Sequence, residues 1–298
     1  MMRPASLHEP CDDIGHPKTQ INLLFFPFLY YNKNKLLHKL AGKTVLITGA
    51  SYGIGEALAY ELAKTKVRLI LIARTEEKLI VVKNNIEKVG GEALIFPCDL
   101  TDQAAISNLL VQLKSEQIDI MISNAGKSIR RPLFESLDRF HDFTRTMSLN
   151  YYGPVQLLLG LIPGLVERKG HIINISAINV LLIPAPYWAA YQASKTAFDQ
   201  WFRAAEPELN ARGVGTSSIY LPLVRTRMIS PTKAYDKMPA MQPKQVAKLI
   251  CMAINTRRRY FAPWWLFFAK LASLLFRWAW APILSRLEKA KLKKSLLR

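Results

Sequence analysis

Tyr191 and Lys195 have the spacing of an acid–base pair on one helix face, in the segment Tyr191-Gln192-Ala193-Ser194-Lys195. Residues at i and i+4 are neighbours on a helix. The lysine ammonium can therefore stabilise a phenolate and lower the tyrosine pKa toward a value that suits proton transfer. The pair predicts general acid–base chemistry on a substrate oxygen.

This spacing alone is weak evidence, because Tyr31 and Tyr60 are also followed by a lysine four residues later. Context separates the three pairs. Only Tyr191 comes after five expected strands and downstream of a glycine-rich turn and Asn150. An active site at the ends of parallel strands could use a side chain in that place.

The first expected strand ends in a glycine-rich turn that runs straight into a helix, with the sequence Thr48-Gly49-Ala50-Ser51-Tyr52-Gly53-Ile54-Gly55. Glycines at such a turn let the backbone approach a pyrophosphate closely, and the helix N-terminus supplies N–H donors and a favourable dipole. The spacing is GxxxGxG rather than GxGxxG, so an ordinary glycine-rich turn is the alternative. Its position after the first strand favours nucleotide binding.

Arg74 lies where the second expected strand ends, in Ile72-Ala73-Arg74-Thr75. A site for NAD would carry a carboxylate near this position to hold the ribose hydroxyls, and none is present. A guanidinium there can bind a 2′-phosphate through two hydrogen bonds. NADP(H) is therefore preferred over NAD, with a helix-cap or surface role for Arg74 as the alternative.

Short apolar runs alternate with helical stretches along most of the chain, which predicts strands buried on both faces of a parallel sheet. The fold class is α/β: a single doubly wound, parallel-sheet, Rossmann-type domain, followed by a C-terminal amphipathic membrane-associating helix. The expected strands are 43–48, 67–73, 93–97, 119–123, 171–176 and 215–221, and the helical segments include 53–65, 75–90, 102–116 and 187–212.

Five motifs in order resemble the short-chain dehydrogenase/reductase family over about residues 41–256: TGASYGIG, Asp99 in CDL, NAG at 124–126, Asn150 and YQASK. A finer resemblance, to the fatty acyl-CoA reductase group of that family, rests on four longer segments. These are FPCDLTD at 96–102, NAGKSIRRP at 124–132, LDRFHDF at 137–143 and SIYLPLVRTRMISPTKAY at 218–235.

The resemblance implies that Tyr191 donates the proton, that Lys195 binds the nicotinamide ribose and tunes Tyr191, and that Asn150 anchors a water relay. Thr226 is expected to touch the cofactor carboxamide, and Cys98 to lie in the adenine wall. The cofactor-binding residues implied by the matching motifs are Thr48, Gly49, Ser51, Tyr52, Gly53, Ile54, Gly55, Arg74, Asp99, Leu100, Asn124, Ala125, Gly126, Tyr191, Lys195, Pro222 and Thr226.

The serine that orients the carbonyl in this family is displaced. Ile178 stands at its usual position, and Ala177 replaces the second of two serines that relatives commonly have. Either Ser176 acts from a loop that is one residue longer, or the carbonyl loses a donor, which slows an enzyme by about 10²-fold or more. Ser176 as the catalytic serine is preferred. The segment 222–226 also departs from the family's usual Pro-Gly, in the way that the acyl-CoA reductase group does.

The net charge of +19, from 41 Lys+Arg and 22 Asp+Glu, is concentrated at the C-terminus. Residues 257–298 hold eleven basic residues and one acidic residue, Glu288. Such a block needs a nucleic acid or an anionic membrane surface. Residues 260–284 are rich in Trp, Phe and Leu, and Lys270, Ser273 and Arg277 form one narrow polar stripe, as on an interfacial helix.

We therefore expect residues 264–298 to form an amphipathic, basic helix and tail at a membrane surface, with no nucleic acid as partner. A full membrane span is one alternative, and a core or dimer helix with a solvated tail is another. The sequence leaves the oligomeric state open, with a homo-oligomer among the alternatives.

The expected domains are a leader with a short apolar segment at 1–40, an NADP-binding reductase domain at 41–263, and the C-terminal helix and tail. Residues 1–20 carry no expected function, and residues 21–31 fit an interfacial anchor or a strap over the body. The three Cys and five His lack the spacing of a disulfide framework or a metal site. A reducing compartment at the cytoplasmic face of a membrane, and no metal, are expected.

These features predict an NADPH-dependent oxidoreductase that reduces a carbonyl of a hydrophobic acyl or lipid substrate. The resemblance implies a long-chain fatty acyl-CoA that is reduced to the fatty aldehyde. The alternatives are a 3-oxoacyl or sterol-like hydroxyl/ketone dehydrogenase, and a catalytically impaired NADP-binding membrane protein. Arg130 and Arg131 either bind coenzyme A phosphates or form surface ion pairs.

Overall fold

The computed structural model describes residues 24–27, 31–230, 232 and 235–296, and the leader at 1–20 lies outside them. Seven parallel strands form one sheet in the order β3-β2-β1-β4-β5-β6-β7. The six expected strands are confirmed to within one residue at each end. The strands are β1 (Thr44–Thr48), β2 (Arg68–Ala73), β3 (Glu92–Pro97), β4 (Ile120–Ser123), β5 (His171–Ala177), β6 (Gly215–Leu221) and β7 (Tyr260–Phe261).

Helices connect successive strands and cover both faces of the sheet. The expected helical segments correspond to α2, α3, α4 and α7. The helices are α1 (Lys33–Leu40), α2 (Gly53–Leu62), α3 (Glu76–Glu87), α4 (Gln103–Gln112), α5 (Phe140–Met147), α6 (Gly153–Glu167), α7 (Ala189–Ala211), α8 (Pro243–Thr256), α9 (Leu266–Leu275) and α10 (Arg277–Leu296).

Two hydrophobic clusters, one on each face of the sheet, explain why apolar residues predominate in the central strands. Val45 and Ile47 of β1 pack with α2, α3 and α8, whereas Leu46 packs with α4, α6 and α7 on the other face. Successive strand side chains point to opposite faces, so both sets must be apolar. Phe25 and Phe26 are buried in the first cluster, in agreement with the strap alternative for these two residues.

The position of β1 in the sheet defines the ligand crevice. β1 pairs with β2 on one side and with β4 on the other. The strand order therefore reverses at β1, with β2 and β3 on one side and β4 to β7 on the other. The loops that follow β1 and β4 therefore diverge at the carboxyl edge of the sheet. The glycine-rich turn and the NAG turn follow these two strands.

The C-terminal segment differs from the single amphipathic helix expected over 264–298. Two helices, α9 and α10, meet at Phe276 at an angle of 90°, so the expected stripe of Lys270, Ser273 and Arg277 is divided between two axes. The backbone leaves the helical conformation at Phe276, with φ −104° and ψ 18°. The bend allows α10 to contact the loop before α7, and this long-range contact is not encoded by local periodicity.

In that loop, α10 contacts Tyr187. Its phenol donates a hydrogen bond to Glu288, and the Lys291 ammonium lies 5.2 Å from the ring centroid. The Arg130 guanidinium lies 4.8 Å from the same centroid. Tyr187 has a φ of 72°, in the left-handed region that a tyrosine rarely adopts.

In the described part of the chain, one helical stretch, Phe140–Glu167, is long and apolar enough to cross a membrane, judged by length and composition. Leu157, Leu158 and Leu161 in this stretch are buried against the sheet, so it packs as part of the α/β domain. The α9–α10 pair meets the same criterion only if its two bent halves are counted as one span.

Candidate active site

The backbone conformation of the glycine-rich turn requires glycine at several positions. Gly49 and Gly53 have φ values of 66° and 60°, and a Cβ on Gly55 would lie 2.3 Å from the Gly49 carbonyl oxygen. α2 begins at Gly53, so its first N–H groups point into the crevice. The backbone is thus open to a closely approaching anionic group, as the pyrophosphate of a nucleotide requires.

Thr48 and Asn124 hold this turn against the NAG turn. The Thr48 hydroxyl accepts hydrogen bonds from the backbone N–H groups of Asn124 and Ala125, both at 3.0 Å. The Asn124 side chain donates to the Thr48 carbonyl oxygen at 2.9 Å. These two residues therefore fix the relative position of the loops that follow β1 and β4.

A cavity of about 680 Å³ lies at the carboxyl edge of the sheet, and most of the predicted site residues line it. Thr48, Gly55 and Asn150 are not among the residues that line it. The predicted residues that line it are Gly49, Ser51, Tyr52, Gly53, Ile54, Arg74, Asp99, Leu100, Asn124, Ala125, Gly126, Ser176, Tyr191, Lys195, Pro222 and Thr226, and Cys98 lies beside them.

Arg74 is an exposed cation at the mouth of this cavity. Its side chain is 75 % exposed, and its Nη1 lies 3.8 Å from a carboxylate oxygen of Asp99. Lys127 and Arg145 also line the cavity, and the sequence analysis did not identify them. Burial, together with the charges of Arg145 and Arg74, lowers the pKa of Lys127.

Burial shifts the pKa values of Tyr191 and Lys195 in opposite directions. It raises the pKa of Tyr191 to about 12 and lowers the pKa of Lys195 to about 8, because burial disfavours the charged form of each group. The predicted lowering of the Tyr191 pKa is therefore wrong for this structure. Lys195 is held in place by a hydrogen bond from its Nζ to the Ile175 carbonyl oxygen at 3.0 Å.

Trp188 forms an aromatic wall beside Tyr191. Its ring centroid lies 5.9 Å from that of Tyr191, edge to face, and 5.9 Å from that of Tyr235, to which it is stacked. Trp188 was not predicted as a site residue, although it lies three residues before Tyr191, at the start of α7 and on the same side.

Asn150 lies in a widened helical turn, 148–152, between α5 and α6. Its Oδ1 accepts a hydrogen bond from the Lys127 backbone N–H at 2.8 Å. Its Nδ2 donates to the Lys127 carbonyl oxygen and to the Ser194 hydroxyl oxygen, both at 2.9 Å. Asn150 therefore joins the segment after the NAG turn to α7, which carries Tyr191 and Lys195.

Ser176 is buried at the end of β5, and its hydroxyl donates to a carboxylate oxygen of Asp199 at 3.3 Å. That hydrogen is directed at the acid rather than into the cavity. The sequence analysis missed Asp199, although its position four residues after Lys195 continues the spacing of Tyr191 and Lys195.

Arg131, which does not line the cavity, and Arg227, which does, each have a partner within the protein. Arg131 pairs through Nε with Asp142 at 2.8 Å, which agrees with the ion-pair alternative for this residue. Arg227 lies over the Tyr52 ring at 4.3 Å from the centroid, and thus covers the glycine-rich turn. Among the described residues, no group of His, Cys, Asp and Glu side chains could hold a metal ion.

A glycine-rich turn, an NAG turn and a Tyr–Lys pair at the carboxyl edge of a parallel sheet define a class of nucleotide-dependent oxidoreductases. The family profile described as short chain dehydrogenase matches residues 43–237, and the chain belongs to this family.

Two relatives and one solved structure show the extent of the similarity. A fatty acyl-CoA reductase of Acinetobacter baylyi is 50% identical over 224 residues, which are 74% of this chain and 76% of the relative. A fatty acyl-CoA reductase of Mycobacterium tuberculosis is 45% identical over 227 residues, covering 75% and 77% of the two chains. A metagenomic short-chain oxidoreductase, solved in complex with NADP, is 29% identical with a TM-score of 0.64, covering 75% of this chain and 96% of that one.

Proposed function

We propose that this protein is an NADPH-dependent reductase that converts a long-chain fatty acyl-CoA to the fatty aldehyde. The observation that carries the proposal is the position of Tyr191 and Lys195, which line the same cavity as the glycine-rich turn and Arg74. The names of the two relatives support an acyl-CoA as the substrate. Whatever its substrate, the chain is a short-chain oxidoreductase.

The residues at the cavity fit NADP(H). A Cβ at Gly55 would clash with the Gly49 carbonyl oxygen, so glycine allows the turn to pack tightly against the start of α2. The N–H groups at that helix N-terminus can bind a pyrophosphate. Arg74 presents a guanidinium at the end of β2, where a 2′-phosphate can be bound through two hydrogen bonds. When bound, NADPH supplies the hydride that reduces the carbonyl carbon.

Tyr191 is the proposed acid for the carbonyl oxygen. Its raised pKa keeps the phenol protonated at neutral pH, so it can give its proton to the oxygen that gains charge during reduction. The Lys195 ammonium supplies positive charge beneath it, and Asn150 fixes the helix that carries both. Ser176 is the proposed second donor to the oxygen, and it can act in this way only if its hydroxyl turns from Asp199 toward the cavity.

The reaction balances without a cysteine nucleophile. One acyl thioester, one hydride and one proton give a hemithioacetal, in which a hydroxyl group and the sulfur of coenzyme A are bonded to the same carbon. Loss of the thiolate, which takes up the hydroxyl proton, releases the aldehyde and the free thiol. Cys98 is buried with its pKa raised to about 11, so a neutral thiol is expected at this site.

We further propose that α9 and α10 lie at the cytoplasmic face of a membrane. Exposed apolar side chains occupy both helices, including Phe267, Leu274 and Trp278, and basic residues follow them along α10. A wide apolar face beside basic residues favours a lipid surface over a nucleic acid. Such a position would bring the cavity close to a source of long acyl chains.

The proposed reaction is tested by incubating the purified protein with NADPH and palmitoyl-CoA while following NADPH oxidation and thiol release. We expect one thiol per NADPH oxidised. We expect Tyr191→Phe to lower the rate by about 10²-fold or more, because the acid is removed. The matched control is Tyr60→Phe, which removes a half-buried phenol on α2 that also precedes a lysine by four residues.

The outcomes separate the remaining candidates. NADPH oxidation with a 3-oxoacyl or sterol-like ketone, with no thiol release from any acyl-CoA, would assign the ketone reductase instead. No oxidation with either substrate class would contradict both enzymes and leave an impaired nucleotide-binding protein, a candidate favoured by Ala177. In that case Ala177→Ser should raise the rate strongly, because it restores a hydroxyl where the family usually has one.

A further inference from the structure

Asp199 is a buried acid at the active site for which the proposed reaction has no role. Its side chain is 2 % exposed. It lies on α7 four residues after Lys195 and eight residues after Tyr191. Its carboxylate accepts hydrogen bonds from Ser176 and from the phenol of Tyr220. The Arg203 guanidinium, on a half-exposed side chain, lies 3.7 Å from the second oxygen.

These partners compensate the buried charge only in part. The Ser176 hydrogen bond is long, at 3.3 Å, and the arginine is solvated at the protein surface. Burial accordingly raises the pKa of the Asp199 carboxyl, against the lowering effect of its donors. A carboxylate held at this cost contributes little to stability, since well-packed apolar residues often serve as well or better.

Lys195 and Asp199 are one helical turn apart on α7 and reach consecutive residues of β5. The Lys195 ammonium donates to the Ile175 carbonyl oxygen at 3.0 Å, and the Asp199 carboxylate accepts from the Ser176 hydroxyl at 3.3 Å. Burial lowers the pKa of Lys195, and the Asp199 charge acts in the opposite direction. In a site of low dielectric one nearby charge has a large effect, so the state of Lys195 depends on Asp199.

We propose that Asp199 is a positioning residue of the active site, which supplies the counter-charge for Lys195. This role rests on the proposed function, since it concerns the same reaction, but Asp199 itself touches neither substrate nor cofactor. It acts through Lys195.

The other titratable groups around this pair do not replace the charge of Asp199. Burial raises the pKa of each of the surrounding tyrosines, so they are neutral over the working range of pH, and Arg203 carries a charge of the wrong sign. These groups are Tyr191 and Arg203 on α7, Tyr220 on β6, Tyr260 on β7 and Tyr235 in the loop after β6.

The test is Asp199→Asn, which keeps the shape of the side chain and an acceptor for Ser176 but removes the charge. Competitive labelling of Lys195 with trace acetic anhydride, quantified by mass spectrometry across a pH series, reports the protonation of this amine directly. We expect the labelling midpoint to move to lower pH by about one unit. The alkaline limb of kcat should move with it, with the KM for palmitoyl-CoA unchanged.

The matched control is Asp119→Asn. Asp119 is also buried and paired, with Lys43 and Arg168, but it lies just before β4 at the opposite edge of the sheet. It should lower stability without moving the Lys195 midpoint. If Asp199→Asn does not fold, Asp199→Ser provides the second variant. It also removes the charge, keeps a polar group beside Ser176, and should shift the midpoint in the same direction.

An unchanged labelling midpoint in Asp199→Asn, or in Asp199→Ser where the first variant is unfolded, would overturn the proposal and leave Asp199 a structural residue. Labelling requires no substrate. Absence of acyl-CoA turnover in the wild type would therefore contradict the proposed function alone, and the result for Asp199 would still stand.

Discussion

Burial of Tyr191 and Lys195 keeps the acid protonated and makes the lysine the group that titrates nearest to neutral pH. The Tyr191 pKa of about 12 lies far above the working range, and the Lys195 pKa of about 8 lies at its upper edge. A Tyr–Lys pair with these protonation states suits proton donation, as the proposed carbonyl reduction requires.

The first prediction concerns the pH dependence of the reductive rate. The ammonium is the acid form of Lys195, so its fraction falls as the pH rises through about 8. We expect kcat/KM to be level below that pH and to decline above it, measured as NADPH oxidation at saturating NADPH. A rate that stays level to about pH 10, near the ordinary lysine pKa, would contradict a role for the buried ammonium.

The second prediction concerns Arg74. Arg74→Ala removes the cation at the end of β2, and we expect the KM for NADPH to rise about tenfold while that for NADH changes little. Initial rates with the two nucleotides provide the measurement. Lys78→Ala, which removes an exposed cation of α3 outside the cavity lining, should leave both constants unchanged. An equal effect on NADPH and NADH would show that Arg74 does not bind the phosphate.

The elements position these residues through the loops after β1 and β4. The turn before α2 needs glycines because its backbone packs closely against the start of that helix. Hydrogen bonds of Thr48 and Asn124 hold it against the NAG turn. The site is therefore a property of two neighbouring strands and the helices that follow them, and a clash in the turn affects both folding and nucleotide binding.

The third prediction is that Gly55→Ala lowers both stability and nucleotide affinity. The new Cβ would meet the Gly49 carbonyl oxygen, and relief of that contact should cost about 2 kcal/mol of unfolding free energy. Gly164→Ala is the control, because nothing lies within 4 Å of the added Cβ in α6. Alanine there should be neutral or slightly stabilising. Denaturant unfolding and NADPH binding measure the two effects, and equal stabilities for the two variants would refute the argument.

The elements that were predicted correctly have a local signal, and those that were missed depend on distant contacts. The run 67–73 is mostly apolar because both faces of its strand are buried, so periodicity and length sufficed. β7 has two residues, Tyr260 and Phe261, too few for any pattern. The bend at Phe276 brings α10 to Tyr187, 101 residues from Glu288 in the chain, and no local pattern encodes that contact.

The candidate site was predictable to the extent that its residues follow motifs. The turn at 48–55, the NAG turn and the Tyr–Lys pair converge on one cavity, as expected. The pKa of Tyr191 was not predictable, since the extent of burial around it depends on Trp188 and on the packing of Tyr235. The commitment of the Ser176 hydroxyl to Asp199 likewise depends on how α7 packs against β5.

At the scale of the whole molecule, exposed apolar surface and basic charge occur together in the C-terminal helices. α9 and α10 carry many of the exposed aromatic and aliphatic residues, and α10 contacts Tyr187, which precedes the cavity residue Trp188. The bend between the two helices presents apolar side chains along two axes at once. A surface arranged in this way matches a lipid interface better than a linear polyanion.

The fourth prediction tests this surface with sedimentation on lipid vesicles. We expect the protein to bind phosphatidylglycerol vesicles more tightly than phosphatidylcholine vesicles, and to be partly released by salt. Phe267→Ser and Trp278→Ser, at side chains 68 % and 79 % exposed, should each weaken binding about tenfold.

Val111→Ser is the control for the membrane surface, because Val111 is 73 % exposed on α4, away from the C-terminal helices. It should sediment as the wild type does. Equal sedimentation of the control and the two aromatic variants, or no vesicle binding at all, would contradict the membrane assignment.

The contact between α10 and Tyr187 has a practical consequence for work with shortened chains. Deleting α9 and α10 to obtain a more soluble preparation would also remove the contacts of α10 with the Tyr187 side chain. Tyr187 precedes Trp188, whose ring packs against Tyr191. Such a preparation would combine an intact nucleotide pocket with a loosened loop beside it. Kinetic constants measured on the trimmed enzyme would then describe a different catalyst from the one that the full chain forms.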